Sequence, residues 1–220
     1  MTENDAREEI CRVGRSLFER GYVHATAGNI SVRLDDGFLI TPTDACLGFL
    51  DPATLSRVDL QGRQVGGATA SKTLVLHRRI YEANEALGAA PRCVIHSHST
   101  HCVALTLGDP QPELLPPITP YFVMKVGHVP VVPYRRPGAP EVADLVAALI
   151  ARYAQAGTPL RAVMLTRLGP NVWHDSPAQA MAVLEELEET ARLWVMAADK
   201  PKPLGEAALA ELGETFGARW

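Results

Sequence analysis

Apolar positions recur with two different periods along the chain, and the change of period separates helices from strands. Residues 4–21 carry apolar side chains at i, i+3, i+7 and i+8, which form one face of an amphipathic helix that ends at Gly21: Ile10, Val13, Leu17 and Phe18. The runs ISVRL and FLITP then predict two strands. The turn Asp35-Asp36-Gly37 joins them as a hairpin, because glycine tolerates a positive φ.

The rest of the chain alternates between predicted strands and helices. Turn-bounded apolar runs predict strands at 58–60, in RCVIHSH, in VPVVPY, and in RAVMLTRLG with a short NVW extension. Helical spacing predicts helices over 71–87, from Ser99, over 139–154, from a cap at Asp175 or Ser176, and near the C-terminus. This alternation is typical of an α/β layered domain. We expect one domain over residues 1–220, with a core from about 5 to 200 and a C-terminal helix and tail over 201–220.

Composition narrows the range of partners. The 220 residues are 47% hydrophobic and 21% charged, with a net charge of -4 and scattered Lys and Arg, so nucleic acid and anionic membranes are poor partners. No stretch approaches the ~20 apolar residues of a membrane span, and the charged N-terminus does not resemble a signal peptide. We therefore expect a cytoplasmic protein. Its cysteines form no CxxC pair and are expected to be free thiols: Cys11, Cys46, Cys93 and Cys102.

The stretch APRCVIHSHSTHCVAL places His96, His98 and His101 after an apolar run. Alternate side chains of a strand share a face, so His96 and His98 are expected to point the same way. Two imidazoles at that spacing can reach one metal ion, and the end of a buried strand is where α/β sheets place ligands. Buried, hydrogen-bonded histidines are the alternative interpretation. A metal site also needs a third protein ligand, and the remaining histidines are His24, His77, His128 and His174.

Several segments together resemble the class II aldolase/adducin family, which includes fuculose-phosphate aldolase: TAGNISVR, LITPT, VIHSHSTHCVAL, PYFVMKVGHVPVVPY and AQAMAVLEELEETARL. The middle segment with VPVVPYRRPG is most similar to the subgroup of 3-oxo-tetronate 4-phosphate decarboxylases. The similarity runs in one order over roughly residues 5–200 without large gaps, which is more specific than any single motif.

The resemblance implies a three-layer α/β/α sandwich with a largely antiparallel central sheet, assembled as a homotetramer. It also implies a lyase of carbohydrate metabolism with a divalent metal, typically Zn²⁺, with Mn²⁺, Fe²⁺ or Ni²⁺ as alternatives. Such a metal stabilises the enediolate that forms when a bond next to a carbonyl breaks. Aldol cleavage and decarboxylation of a 3-oxo acid both pass through such an anion, so one scaffold can host either reaction. The substrate that the resemblance implies is a small phosphorylated sugar or sugar acid.

The resemblance also assigns metal ligands and phosphate-binding residues. His96 and His98 match the first two metal ligands, and His101 and His128 are candidates for the third. Loops that hold the substrate phosphate are matched by Thr26, Gly28, Asn29, Thr43 and Ser71. A missing side chain lets backbone N–H groups approach an anion, although ordinary turns are the alternative interpretation.

Two further residues match catalytic positions of the family. Lys72 matches a lysine of the decarboxylase subgroup that can pair with a substrate carboxylate. Tyr121 matches a tyrosine that can donate a proton. A solvated lysine and a structural tyrosine are the respective alternatives.

The chain departs from the family pattern at two residues of the implied centre. Where the family has a catalytic glutamate four residues before a histidine, the stretch SKTLVLH has Thr73 before His77, and threonine cannot shuttle protons near neutrality. Where the third metal ligand stands in NHG, the chain has Arg167-Leu168-Gly169, and leucine binds no metal. The arginine would add a cation that disfavours a divalent ion but suits an anionic substrate. His174, ~20 Å further along an extended strand, is a poor substitute ligand.

Two functions follow from these residues. The first is a metal-dependent carbon–carbon lyase, a decarboxylase or an aldolase, whose degenerate site holds its metal weakly or not at all. The second is a catalytically silent or repurposed paralogue that binds a phosphorylated ligand. The phosphate loops and the pair His96–His98 favour the first function, whereas Thr73 and Leu168 favour the second.

Overall fold

The computed structural model describes residues 1–109 and 111–220. Its helices and strands are α1 Glu3–Glu19, β1 Asn29–Leu34, β2 Gly37–Ile40, β3 Ser56–Asp59, β4 Gln64–Gly66, α2 Leu74–Glu85, β5 Cys93–His96, α3 Thr100–Ala104, β6 Val131–Val132, α4 Glu141–Gln155, β7 Ala162–Leu165, β8 Gly169–His174, α5 Pro177–Met196 and α6 Glu206–Phe216. The eight strands form one sheet in the order β4-β3-β2-β1-β5-β8-β7-β6. Among these strands of the described residues, β6 and β7 pair in parallel, and the other neighbours are antiparallel.

Helices cover both faces of the sheet because the central strands are apolar on both sides. Alternate strand residues such as Ile30 and Ile95 pack in one core cluster with α1 and α5. The residues between them, such as Val94, pack in a second cluster with α2 and α4. Because side chains alternate between the two faces of a strand, the central strands contribute to both core clusters. The α/β/α sandwich with a largely antiparallel sheet, expected from the resemblance, is confirmed.

The prediction of one strand with a short extension near residues 161–173 was wrong. The chain instead forms the hairpin β7–β8, in which Leu165 pairs with Gly169. Arg167 makes the reversal with φ +63, a left-handed conformation that is uncommon outside glycine. Its backbone N–H donates to Thr106 Oγ1 at 2.9 Å, so a contact from a distant part of the chain stabilises the turn.

Other differences are smaller but change the surroundings of the histidines. The strand β5 ends at His96, so His98 lies beyond it rather than within it. The helix after Ser99 covers only Thr100–Ala104. Ser176, and not Asp175, caps α5, since its side chain accepts a hydrogen bond from the backbone of Gln179.

Two further observations concern the helices and the cysteines. The helices in the part of the chain that the structure describes are too short or too polar to cross a membrane. The cysteines are free thiols: Cys11, Cys46, Cys93 and Cys102.

Candidate active site

The candidate site lies at the sheet edge where β1 begins, β5 ends and β8 begins. Cross-strand pairing places Asn29 beside His96 and His96 beside Asn171. Side chains that pair across neighbouring strands share a face of the sheet, so these three residues form one polar row. Gly28, with φ +85, makes the approach possible, because a Cβ there would lie 2.9 Å from the carbonyl oxygen of His96.

The ring of His96 is buried and fixed in orientation. Its Nδ1 lies 3.0 Å from the carbonyl oxygen of Pro170, and a carbonyl only accepts, so Nδ1 carries the proton and Nε2 has a free lone pair. Burial, reinforced by the neighbouring His98 and opposed by the Pro170 carbonyl, lowers the pKa of His96 to about 4. The imidazole is therefore neutral near pH 7, which is the form that binds metals.

The ring of His98 lies against His96, with ring centroids 5.0 Å apart in an edge-to-face arrangement. His24 approaches from the loop before β1, with its centroid 6.3 Å from that of His98. Burial, and then the nearby His24, lower the pKa of His98. The predicted pairing of His96 and His98 is thus present in the structure. The sequence analysis named His24 only among the remaining histidines. Its position just before the TAGN segment could have indicated that it lies close to His98.

His101 lies on the opposite side of the sheet from α2, where it contacts Glu188. Its Nδ1 lies 2.8 Å from Glu188 Oε1 on α5, and its backbone N–H donates to the same oxygen. The other oxygen of Glu188 accepts from the backbone N–H of Cys102. A buried carboxylate thus satisfies the first turn of α3, a role for which no metal is needed.

His128 lies in a second cluster near the C-terminus. Its ring stacks on Trp220 with centroids 4.3 Å apart, and its Nδ1 lies 3.5 Å from a carboxylate oxygen of Glu113. Within residues 1–109 and 111–220, no three His, Cys, Asp or Glu side chains form a group that could hold a metal. Neither His101 nor His128 is therefore grouped with the pair His96–His98.

The two departures from the family pattern lie next to this edge. Thr73 precedes α2, and its hydroxyl lies 2.9 Å from that of Ser71. Leu168 packs against the core cluster of α2 and α4. The guanidinium of Arg167 donates to the carbonyl oxygen of Leu107 at 3.1 Å and is exposed. Arg167 therefore contributes its backbone turn to this edge, while its charge is directed to Leu107.

Among the predicted phosphate-binding residues, Thr43 and Ser71 lie on neighbouring segments near the same edge. Thr43 donates its backbone N–H to the carbonyl of Thr69 at 2.9 Å, and the bridge between Pro42 and Ala70 leads directly to Ser71. Thr26 is exposed and Asn29 is buried. Their role in binding phosphate stays a prediction.

The predicted catalytic residues Lys72 and Tyr121 both face solvent. Lys72 is exposed just before α2, and the Tyr121 side chain is 60% exposed before a single π-helical turn, Phe122–Val126. Both roles stay predictions.

Several buried polar atoms around His96 have no hydrogen-bond partner among residues 1–109 and 111–220. They are Asn29 Oδ1, His77 Nε2 and both amide atoms of Asn171. His77 reaches this region from α2, where its Nδ1 lies 2.8 Å from Ser31 Oγ. We did not predict Asn171, although an amide between Pro170 and Val172 in a buried strand was a usable signal.

The buried His77 predicts a fall in stability at acid pH. Burial, and secondarily His96, lower its pKa from 6.5 to about 3, so between these values the unfolded chain binds a proton that the folded chain does not. The free energy of unfolding should fall as pH falls through this window, by up to about 1.4 kcal/mol per pH unit from this group. Urea denaturation from pH 7 to 4.5 measures the slope. His77→Gln should reduce the slope, and an unchanged slope would contradict the prediction.

With this geometry in place, comparison with known proteins defines the class. Residues 8–195 match the family described as Class II Aldolase and Adducin N-terminal domain. The chain therefore belongs to the class II aldolase/adducin family. It is similar to a 3-oxo-tetronate 4-phosphate decarboxylase of Cupriavidus necator, with 54% identity over 100% of this chain and 99% of its relative. A protein with the same name from Escherichia coli K12 is 41% identical over 96% of each chain.

Solved structures agree with this assignment. YgbL from Klebsiella pneumoniae, described as a putative aldolase/epimerase/decarboxylase, superimposes with a TM-score of 0.86 at 41% identity, over 96% of this chain and 99% of its own. An L-fuculose 1-phosphate aldolase superimposes with a TM-score of 0.79 at 23% identity, over 97% of this chain and 96% of its own. At that identity the second likeness concerns the fold alone.

Proposed function

We propose that the chain is a carbon–carbon lyase that decarboxylates a 3-oxo-tetronate 4-phosphate or a close analogue. The neutral pair His96–His98 at the sheet edge carries the proposal, because it presents imidazole nitrogens beside the predicted phosphate loops. The relatives named 3-oxo-tetronate 4-phosphate decarboxylase support the same substrate class.

The proposed reaction breaks the bond between C1 and C2 of the substrate. Carbon dioxide leaves, and the bonding electrons delocalise over C2, C3 and the C3 oxygen as an enediolate. A proton then adds to C2, which leaves the three-carbon ketone dihydroxyacetone phosphate. The barrier depends on stabilising the negative charge on the C3 oxygen.

Class II aldolases generally depend on a divalent metal, and the residues present fit such an ion in part. His96 offers a lone pair on Nε2 while its Nδ1 is anchored, and His98 is also neutral; His96 and His98 would hold the ion. When bound, the ion supplies Lewis-acid stabilisation of the oxyanion. The chain's own residues bind and orient the substrate: the phosphate loops hold one end, and Lys72 pairs with the carboxylate that leaves.

Proton delivery distinguishes this chain from the family pattern. Thr73 has no useful pKa for acid–base catalysis, so we expect C2 to be protonated by Tyr121, supplied by this subunit or by a neighbour in a homotetramer, or by solvent. Loss of carbon dioxide needs no base, which is why decarboxylation suits this site better than aldol cleavage.

Incubation with 3-oxo-tetronate 4-phosphate, followed by ³¹P and ¹³C NMR, tests the proposal. Enzyme-dependent release of carbon dioxide with formation of dihydroxyacetone phosphate is expected. His96→Gln should lower kcat/KM by at least about tenfold, since ligand and ligand-support changes in metal sites typically cost 10–100-fold. His174→Gln is the matched control, because His174 lies at the far end of the same strand pair, opposite Cys93.

The second candidate function is binding of a phosphorylated ligand without turnover. Thr73 and Leu168 favour it, because they replace the two groups that would complete the centre. Thermal stabilisation by sugar phosphates with no product in the NMR assay, with and without Zn²⁺ or Mn²⁺, would replace the lyase proposal with this one.

A further inference from the structure

The side chain of Gln64 is the centre of the short loop that leads from β4 to Ser71. Its Nε2 donates to the carbonyl oxygens of three successive loop residues: Gly66 at 3.3 Å, Gly67 at 3.1 Å and Ala68 at 2.7 Å. Its Oε1 accepts from the backbone N–H of Ala70 at 3.0 Å. One amide group therefore contacts both ends of the loop 66–70.

These partners fix the orientation of the Gln64 amide. Carbonyl oxygens only accept hydrogen bonds, so the NH2 group must face residues 66–68, and the amide oxygen must face the N–H of Ala70. Gln64 is exposed on the edge strand β4, so water could bond to the same atoms, yet both ends of the amide bond to the loop. The contacts indicate that Gln64 shapes the loop.

The loop also contacts the segment that carries Thr43, another predicted phosphate-binding residue. Thr43 donates its backbone N–H to the carbonyl oxygen of Thr69 at 2.9 Å, and Ser71 follows two residues later. Ala70, which Gln64 holds, is the residue between them. The Gln64 amide therefore acts at the position that determines how Ser71 leaves the loop relative to Thr43.

Ser71 and Lys72, the predicted anion contacts, follow the loop directly. Ser71 is half-buried, with its hydroxyl 2.9 Å from that of Thr73, and its carbonyl oxygen accepts from the backbone N–H of Leu74 at 3.1 Å. The start of α2 thus holds this segment on one side, and Gln64 holds it on the other. A loop that is ordered before an anion binds reduces the entropy lost on binding.

We infer that Gln64 is a positioning residue of the substrate site, which holds Ser71 and Lys72 in the arrangement that binds the phosphorylated acid. Without the amide, the loop adopts other conformations, and the apparent Kd rises by the factor by which the correctly arranged fraction falls. Once a ligand is bound, the loop is ordered in substrate and transition state alike, so KM should rise while kcat is retained. This inference rests on the proposed function for the identity of the ligand.

Gln64→Met tests the inference, because methionine has nearly the same length and no amide. Dihydroxyacetone phosphate is titrated by calorimetry into the full-length protein, and kcat and KM are measured with 3-oxo-tetronate 4-phosphate. The variant should bind dihydroxyacetone phosphate about tenfold more weakly and show a KM about tenfold higher, with kcat within about twofold. Its denaturation midpoint should stay within about 2 °C, since Gln64 is exposed.

The matched control is Gln61→Met. Gln61 is exposed in the turn between β3 and β4, and its contact with Arg78 uses its backbone carbonyl, which the substitution keeps. This control should change neither Kd nor KM. Deuterium exchange in the segment 66–73 should be faster in Gln64→Met and unchanged in Gln61→Met, which locates the effect in the loop.

Equal affinity of the wild type and Gln64→Met for dihydroxyacetone phosphate would overturn the inference, and a lower denaturation midpoint at unchanged Kd would leave Gln64 a purely structural role. A wild type that does not bind dihydroxyacetone phosphate would also overturn it. The proposed function fails separately. Weaker binding by Gln64→Met with no release of carbon dioxide by either protein keeps the positioning role and removes the lyase, whereas decarboxylation with equal KM in both proteins does the reverse.

Discussion

Thr73→Glu combined with Leu168→His is expected to raise kcat for decarboxylation by about 10²–10⁴-fold, the usual contribution of a positioned acid–base group, because a glutamic acid there can protonate C2 of the enediolate. Thr73 lies just before α2, half-buried beside Ser71, so a glutamate there would come from the position that the family uses. Leu168 packs against the core cluster of α2 and α4, and histidine at this position would add a third imidazole. NMR assays of product formation give the rate.

The control variant removes only the ionisable carboxyl group of the introduced glutamate. Thr73→Gln with Leu168→His keeps the shape of the glutamate and the added imidazole but cannot transfer a proton. This variant should bind Zn²⁺ more tightly than the wild type without the gain in rate. Equal rates for the Glu and Gln forms would show that proton transfer is not what the chain lacks. A rise in aldol cleavage rather than decarboxylation would change the assigned reaction and keep the lyase class.

The sequence predicted the layered fold because most elements depend on local periodicity. The apolar spacing of α1 and the alternation in β1 and β2 each encode one element and the face it buries. The β7–β8 hairpin escaped prediction because its turn lacks glycine and asparagine at the reversal. Arg167 adopts a positive φ there, and its backbone N–H donates to the hydroxyl of Thr106, 61 residues away in the chain; no local pattern carries that contact.

The candidate site likewise has features that local spacing predicts and features that depend on contacts between distant parts of the chain. The pairing of His96 with His98 followed from the spacing of two residues. The row formed with Asn29 and Asn171 depends on register between strands that are far apart in sequence, and the period of a single strand does not determine this register. The engagement of His101 by Glu188 likewise arises from packing of α3 against α5. The placement of residues that depends on local spacing was therefore predictable, whereas the surroundings of the two histidines were not.

Gly169→Ala is expected to have the largest effect on stability, lowering the free energy of unfolding by about 3 kcal/mol or more. Gly169 has φ +132, and an added Cβ would lie 1.9 Å from the carbonyl oxygen of Ser97 and 3.2 Å from Cα of His98. Both contacts are with backbone, so no side chain can move aside. Relief requires β8 to separate from β5, which would break the hydrogen bond from Ser97 N–H to the Pro170 carbonyl. Urea denaturation measures the loss.

Gly157→Ala separates backbone strain from the clash. Gly157 also has a positive φ, +83, but a Cβ there would meet no atom within 4 Å, so only the conformational cost of about 1 kcal/mol should appear. Unfolding free energies within about 1 kcal/mol of each other for the two variants would mean that the strand ends can part freely. The position of His96 and His98 would then not depend on the close contact between Gly169 and Ser97. A large difference, together with weaker ion binding by Gly169→Ala, would show that this contact fixes both the sheet edge and the pair of imidazoles.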